Sequence, residues 1–184
     1  GDETLKEFLE KRAAAFMNDN YKESDIAWID LQGKIEATIG PYEVYEDGLN
    51  GLKTTFEAFI GLVDEKETSK VKHLEALAPT LEKDLPLAEE HHNHARGKSS
   101  PIKIVDEIYA AGDCTAGIHF TAYNLPNDEE VREKKGSKKV MIKNIAHGKY
   151  EKCWTPIVKE LFSEKDQEKM TFEAYFTHII MHEI

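Results

Sequence analysis

Residues 34–63, KIEATIGPYEVYEDGLNGLKTTFEAFIGLV, decide the fold of this chain. The stretch is rich in β-branched and aromatic residues, and it is interrupted at Gly40-Pro41 and again at Gly48 and Gly51. Branched and aromatic side chains fit a pleated sheet, whereas glycine and proline fit turns, so this texture is typical of strands joined by turns. We expect strands at residues 35–39, 42–45 and 54–62.

Two acidic residues in this stretch bear on function. If residues 42–45 form a strand, alternation places Glu43 and Tyr45 on the same face. Glu57 lies in a strongly apolar run, where an unpaired buried carboxylate is costly. The sequence therefore leaves three interpretations of Glu57 open: solvated on an edge strand, paired, or functional.

Helical patterns lie on both sides of this stretch, and a second strand-rich region follows the middle helix. We expect helices over most of residues 1–31, over residues 64–85, over residues 146–161 and over residues 171–184, with residues 163–169 as a link between the last two. We expect further strands at residues 102–110, 118–123 and 139–142. Helices and strands that occupy separate parts of the chain in this way predict an α+β fold.

A short polar turn closes the strand expected at residues 118–123. It reads Asn124-Leu125-Pro126-Asn127. Asparagine side chains beside a proline-fixed turn can cap the segment that follows, here residues 128–133. Local capping is therefore one interpretation of these two carboxamides.

The last stretch, TFEAYFTHIIMHEI at residues 171–184, has the apolar stripe of a helix. His178 and His182 are four positions apart and so share a face. His182 and Glu183 match the first two residues of H-E-x-x-H, in which two histidines hold zinc and the glutamate takes a proton from the metal-bound water. The plainer interpretation is a pair of ordinary histidines on a partly buried helix.

The other candidate metal ligands are weaker. His91, His92 and His94 lie in a polar, Gly/Ser-tipped stretch, which favours a solvated histidine cluster over a metal site. Cys114 and Cys153 form no disulfide framework and lack the close spacing of a structural zinc site.

Composition excludes several classes of protein. Its 184 residues, 40% of them hydrophobic, suffice for a globular core. Lys and Arg number 24 against 35 Asp and Glu, a net charge of −11, which argues against a nucleic-acid partner. No run of about 18 apolar residues occurs, so we expect no membrane span. We expect a cytoplasmic protein, or a periplasmic one if a leader has been removed.

Three stretches together resemble the dipeptidyl-peptidase III family of zinc metallopeptidases. They are IGPYEVYED with FEAF at residues 39–59, NLPN at residues 124–127, and the His-Glu pair at residues 182–183. Residues 124–144 are especially similar to the shorter bacterial and plant relatives, some of which carry a Nudix domain. The resemblance covers most of the chain from about residue 25.

The resemblance implies a role for each matching residue. His182 would be a zinc ligand and Glu183 the general base. Glu43, Asn124 and Asn127 would bind the free amino terminus of a short peptide substrate. Two further positions complete the set: Tyr45 would hydrogen-bond the oxyanion, and Glu57 would be another carboxylate on the substrate side.

The resemblance also implies a two-lobed enzyme. Residues 34–62 and 100–145 would form a mostly β lobe containing a small barrel or sheet, and residues 63–99 and 146–184 a mostly helical lobe that bears zinc. The family's second zinc histidine and a later glutamate have no counterpart here. We therefore expect the N-terminal part of a larger enzyme, inactive by itself, completed by polypeptide beyond Ile184. A non-catalytic peptide-binding module and a purely structural domain remain the alternatives.

Overall fold

The computed structural model describes residues 1–44, 47–92, 101–116 and 119–183. Two helices lead into the first two strands. The elements of this first half are α1 (Glu3–Asn18), α2 (Lys22–Ile29), β1 (Ile35–Pro41), β2 (Phe56–Val63) and α3 (Glu65–Lys83). Among the described residues, no helix is both long and apolar enough to cross a bilayer.

The second half adds three strands and the remaining helices. They are β3 (Ile102–Gly112), β4 (Ala122–Leu125), α4 (Glu129–Lys135), β5 (Lys138–Ile142), α5 (Lys143–Lys149), a π-helical turn (Tyr150–Trp154), α6 (Thr155–Leu161), α7 (Glu164–Gln167) and α8 (Phe172–Glu183). Short 3-10 turns occupy Glu89–His91 and Asp113–Thr115. The α+β class is confirmed.

The five strands form one open sheet in the order β1-β2-β3-β5-β4. Neighbours run antiparallel except for β3 and β5, which pair in parallel. The described strands do not close into a barrel, so that part of the expected fold is not present here. The division into a β lobe and a helical lobe stays a prediction.

Apolar packing forms two clusters, both of which use the sheet. The first joins α1 and α2 to the sheet around the fully buried Phe8 and Trp28. The second joins α3, α5 and α8 to the sheet around Met141 and Phe176. Helix α8 is thus held by its apolar stripe, which fixes the position of its last turn.

Two strand predictions were wrong. Residues 42–44 lie outside any strand, because Pro41 ends β1 and has no N–H to continue a ladder. The strand expected at residues 118–123 begins later, at Ala122, and runs to Leu125. Both segments have strand-like composition, yet the chain leaves the sheet at these two places.

Candidate functional site

A cavity of ≈ 280 Å³ lies beside the ends of β4 and α8. Its polar lining comes from four separate parts of the chain. The polar residues are Glu43, Glu57, Asn124, Asn127, His182 and Glu183. Phe59, Phe120 and Leu125 contribute to an apolar wall. Every described residue to which the family resemblance assigns a role therefore borders this cavity.

Glu43 is held through its own backbone and that of its neighbour. Its carbonyl accepts hydrogen bonds from the Thr55 backbone N–H at 2.9 Å and from the Thr55 hydroxyl at 3.1 Å. The Asn127 side-chain amide donates to the Tyr42 carbonyl at 3.1 Å. Burial raises the pKa of Glu43, and a hydrogen bond from Asn127 opposes that rise. The carboxylate is therefore half-buried with a neutral partner.

Glu57 does not lie on an edge strand. Its strand, β2, is flanked by β1 and β3, and the residue is 4% exposed, so the interpretation of a solvated edge residue was wrong. The Thr55 hydroxyl lies 3.1 Å from its Oε1 as a donor. In the sheet Glu57 pairs with Gly40 on one side and Gly112 on the other. Its two cross-strand neighbours thus have no side chains.

Asn124 and Asn127 do not cap the helix that follows them. The Asp128 side chain caps α4 by accepting from the Val131 N–H at 3.0 Å, so local capping by the asparagines was wrong. Asn124 instead lies on β4, and its Oδ1 atom is buried with no hydrogen-bond partner among the described residues. An orphaned acceptor beside a cavity is suited to a ligand that donates.

His182 and Glu183 form the last turn of α8. His182 is exposed and Glu183 is half-buried. Burial raises the pKa of Glu183, while the charges of His182 and Lys139 oppose that rise. Because Phe176 and Ile180 bury the preceding turns, this last turn is anchored at the cavity rim.

The part of the chain that the structure describes contains no group of three or more His, Cys, Asp or Glu side chains arranged to hold a metal ion. His182 by itself does not make a zinc site, because zinc takes three or four protein ligands. His178, one turn earlier, does not border the cavity. Tyr45 and His94 lie outside the described residues.

The sequence interpretation missed two residues that support the cavity. Thr55 contacts both Glu43 and Glu57, and strand alternation from residue 55 to residue 57 was the available signal. Arg12 is buried on α1 and bonds to Tyr42, which precedes Glu43. A cation at a helical step from Phe8, on the apolar face of a helix, was the signal there.

Comparison with known proteins identifies the family. The family model "Peptidase family M49" matches residues 2–184. Dipeptidyl-peptidase III from Corallococcus sp. strain EGB has 46% sequence identity and a TM-score of 0.92, over 99% of this chain and 34% of that one. DPP III from Caldithrix abyssi has 48% identity and a TM-score of 0.90, over 99% of this chain and 35% of that one.

A plant relative is also similar. "Nudix hydrolase 3" from Arabidopsis thaliana is 42% identical over 180 residues, which are 98% of this chain and 23% of the plant protein. The chain therefore spans about a third or less of the length of these relatives. The resemblance to dipeptidyl-peptidase III is confirmed, and the chain belongs to peptidase family M49.

Proposed function

We propose that this chain forms the amino-terminus-binding part of a zinc-dependent exopeptidase that resembles dipeptidyl-peptidase III and cleaves short peptides. One observation carries the proposal. Glu43 and Asn127 are more than 80 positions apart in the sequence, yet they border the same cavity as His182 and Glu183. Family membership supplies the reaction class.

The cavity chemistry suits a peptide ammonium group. An ammonium offers only donors, and the cavity presents acceptors: the Glu43 carboxylate and the orphaned Asn124 Oδ1. In our proposal Asn127 holds the Glu43 carboxylate in place, and Glu57 provides further negative charge on the substrate side. The apolar wall then accommodates the side chains of the peptide.

The catalytic end of the cavity is at α8. Glu183 would accept the proton from the attacking water, and His182 would provide one ligand to zinc. A zinc ion, when bound, would polarise the water and the scissile carbonyl. We propose that its other ligands come from outside the described residues, because these form no metal-binding group. Tyr45 is proposed to hydrogen-bond the oxyanion.

The proposal is tested with the full-length protein and two matched probes, tetra-alanine and N-acetyl-tetra-alanine. We expect cleavage of the free peptide only. Glu43→Gln should lower kcat/KM about 30-fold or more, mainly through KM, because it removes one partner of a desolvated charge pair. Glu130→Gln, the same change on the surface, is the control. Equal cleavage of both peptides, or an unchanged Glu43→Gln variant, would contradict the amino-terminus site.

A second candidate is a peptide-binding module without catalysis, favoured by the lack of a metal-binding group among the described residues. Glu183→Gln separates the two. The enzyme should lose about a hundredfold or more in kcat while its zinc content, measured by mass spectrometry, is unchanged. A protein that binds tetra-alanine through Glu43 but does not cleave it would establish the second candidate.

A further inference from the structure

Arg12 is an unusual residue for the interior of this protein. It lies on α1, yet only 2% of its surface is exposed. Three aromatic rings surround its guanidinium, those of Phe8, Tyr21 and Tyr42, with centroids 5.3–5.5 Å from the central carbon. Burying a cation is expensive, so a placement of this kind needs strong partners.

The guanidinium has two polar partners. Its Nη2 donates to Asp25 Oδ1 on α2 at 2.5 Å and to the Tyr42 hydroxyl at 3.1 Å. The Tyr42 hydroxyl in turn donates to the Ile39 carbonyl at 3.2 Å. The Arg12 Nη1 atom fills the space beside Gly40, where an added Cβ would lie 2.7 Å from it. Arg12 therefore packs directly against the end of β1.

Tyr42 connects this cluster to the cavity. Its hydroxyl is bound by Arg12, and its carbonyl accepts from Asn127, which borders the cavity. The next residue is Glu43. Because residues 42–44 lie outside any strand, ladder hydrogen bonds do not fix this segment. Residues 42–44 are held instead by the hydrogen bonds of the Tyr42 hydroxyl and carbonyl and by the hydrogen bonds from Thr55 to the Glu43 carbonyl.

We propose that Arg12 and Asp25 are positioning residues that set the Glu43 carboxylate through Tyr42, and so tune affinity for the peptide amino terminus. The inference rests on the proposed role of Glu43. The competing explanation is that the Arg12–Asp25 pair only fastens α1 to α2. In that case the Tyr42 hydroxyl would matter for stability but not for substrate binding.

The test uses Tyr42→Phe, which removes the hydroxyl and keeps the ring. In the full-length protein we expect kcat/KM for tetra-alanine to fall about fivefold, because the change removes the hydroxyl through which Arg12 positions residue 42. The loss should appear in KM and leave kcat unchanged. Tyr150→Phe is the control, because its hydroxyl also donates to a backbone carbonyl, that of Met170 at 2.7 Å, and its ring lies against Phe172 and Tyr175 and does not border the cavity.

A double-mutant cycle separates positioning from stability. In a Glu43→Gln background, Tyr42→Phe should have no further effect on kcat/KM, because it acts through Glu43. A full fivefold loss in that background would overturn the inference, as would equal effects of Tyr42→Phe and Tyr150→Phe. If Glu43→Gln by itself leaves kcat/KM unchanged, the proposed function fails. If Glu43→Gln lowers kcat/KM but Tyr42→Phe leaves it unchanged, only the positioning role fails.

Discussion

Two glutamates seven positions apart have opposite surroundings. Glu36 on β1 is 1% exposed and lies 2.7 Å from the Lys138 ammonium and 3.0 Å from that of Lys103. Glu43, just past the same strand, has the Asn127 carboxamide as its partner. Within the described residues, no lysine or arginine forms an ion pair with Glu43. One carboxylate is matched by cations of the protein, and the other is matched by a neutral group.

The two lysines beside Glu36 also form hydrogen bonds to backbone carbonyls. Lys138 Nζ donates to the Trp28 carbonyl at 2.6 Å and lies 3.9 Å from the centre of the Trp28 ring. Lys103 Nζ donates to the Leu31 carbonyl at 2.7 Å. This network joins α2 and its following turn to the sheet. The comparison teaches that the fold neutralises the interior carboxylate that serves packing, whereas among the described residues Glu43 has no cationic partner, as the proposed binding of a ligand cation requires.

The largest effect on stability should come from removing the charge of Glu36. Glu36→Gln leaves the Lys138 ammonium buried without its carboxylate, so we expect a loss of about 3–5 kcal/mol in the free energy of unfolding, measured in urea. Glu7→Gln, on an exposed helical pair with Lys11, is the control. An unchanged urea midpoint for Glu36→Gln would mean that the network does not stabilise the fold.

Glu43, which has a neutral partner, should affect the pH dependence of catalysis. In the proposed function, binding of the peptide ammonium requires the ionised Glu43 carboxylate, which is present above its pKa. Because burial raises that pKa, kcat/KM for tetra-alanine should begin to fall at a higher pH than an ordinary glutamate would give. Below the pKa, the loss should be about tenfold per pH unit.

The Glu43→Gln variant should lack this limb of the profile, so the ratio of wild-type to variant kcat/KM isolates it from other groups. Circular dichroism at each pH excludes unfolding as the cause. A ratio that stays constant across the acid range would show that Glu43 does not titrate in the free enzyme.

The smallest effect on stability should come from removing only one of the two lysines beside Glu36. Lys103→Met removes one of the two lysines, but Lys138 remains 2.7 Å from the carboxylate. We expect a loss of about 1–2 kcal/mol in unfolding free energy, because the change removes the contact of Lys103 with Glu36 and its hydrogen bond to the Leu31 carbonyl. A loss as large as that of Glu36→Gln would show that the two lysines act as one inseparable unit.

Local pattern was enough for the long helices but not for α7, which lies in the stretch expected to be a link. The apolar spacing in residues 171–184 predicted α8, observed at Phe172–Glu183, and the same helical spacing predicted α3. Strand-like composition predicted β3. Those elements are set by residues close in sequence. The strand predicted at residues 42–45 was wrong because propensity does not show where a ladder stops.

The site depended on information that periodicity lacks. No local pattern brings Glu43 to Asn127, because they follow β1 and β4, the two edge strands of the sheet. The two edges approach each other across the sheet face, where the Thr38 hydroxyl on β1 lies 2.9 Å from the Tyr123 hydroxyl on β4. The resemblance to a family named these residues in advance. It did not name Arg12 or Thr55, whose roles appear only when the packing around residues 42 and 43 is known.

The two glycines opposite Glu57 carry a consequence for engineering. A Cβ at Gly40 would lie 2.7 Å from Arg12 Nη1, and one at Gly112, whose φ is +87°, would lie 2.2 Å from the Phe56 carbonyl oxygen. Neither position accepts a larger residue without a shift of its surroundings. A designer who wishes to reshape the cavity would therefore start from the apolar wall, at Phe59, Phe120 or Leu125, because neither glycine that pairs with Glu57 accepts a side chain without such a shift.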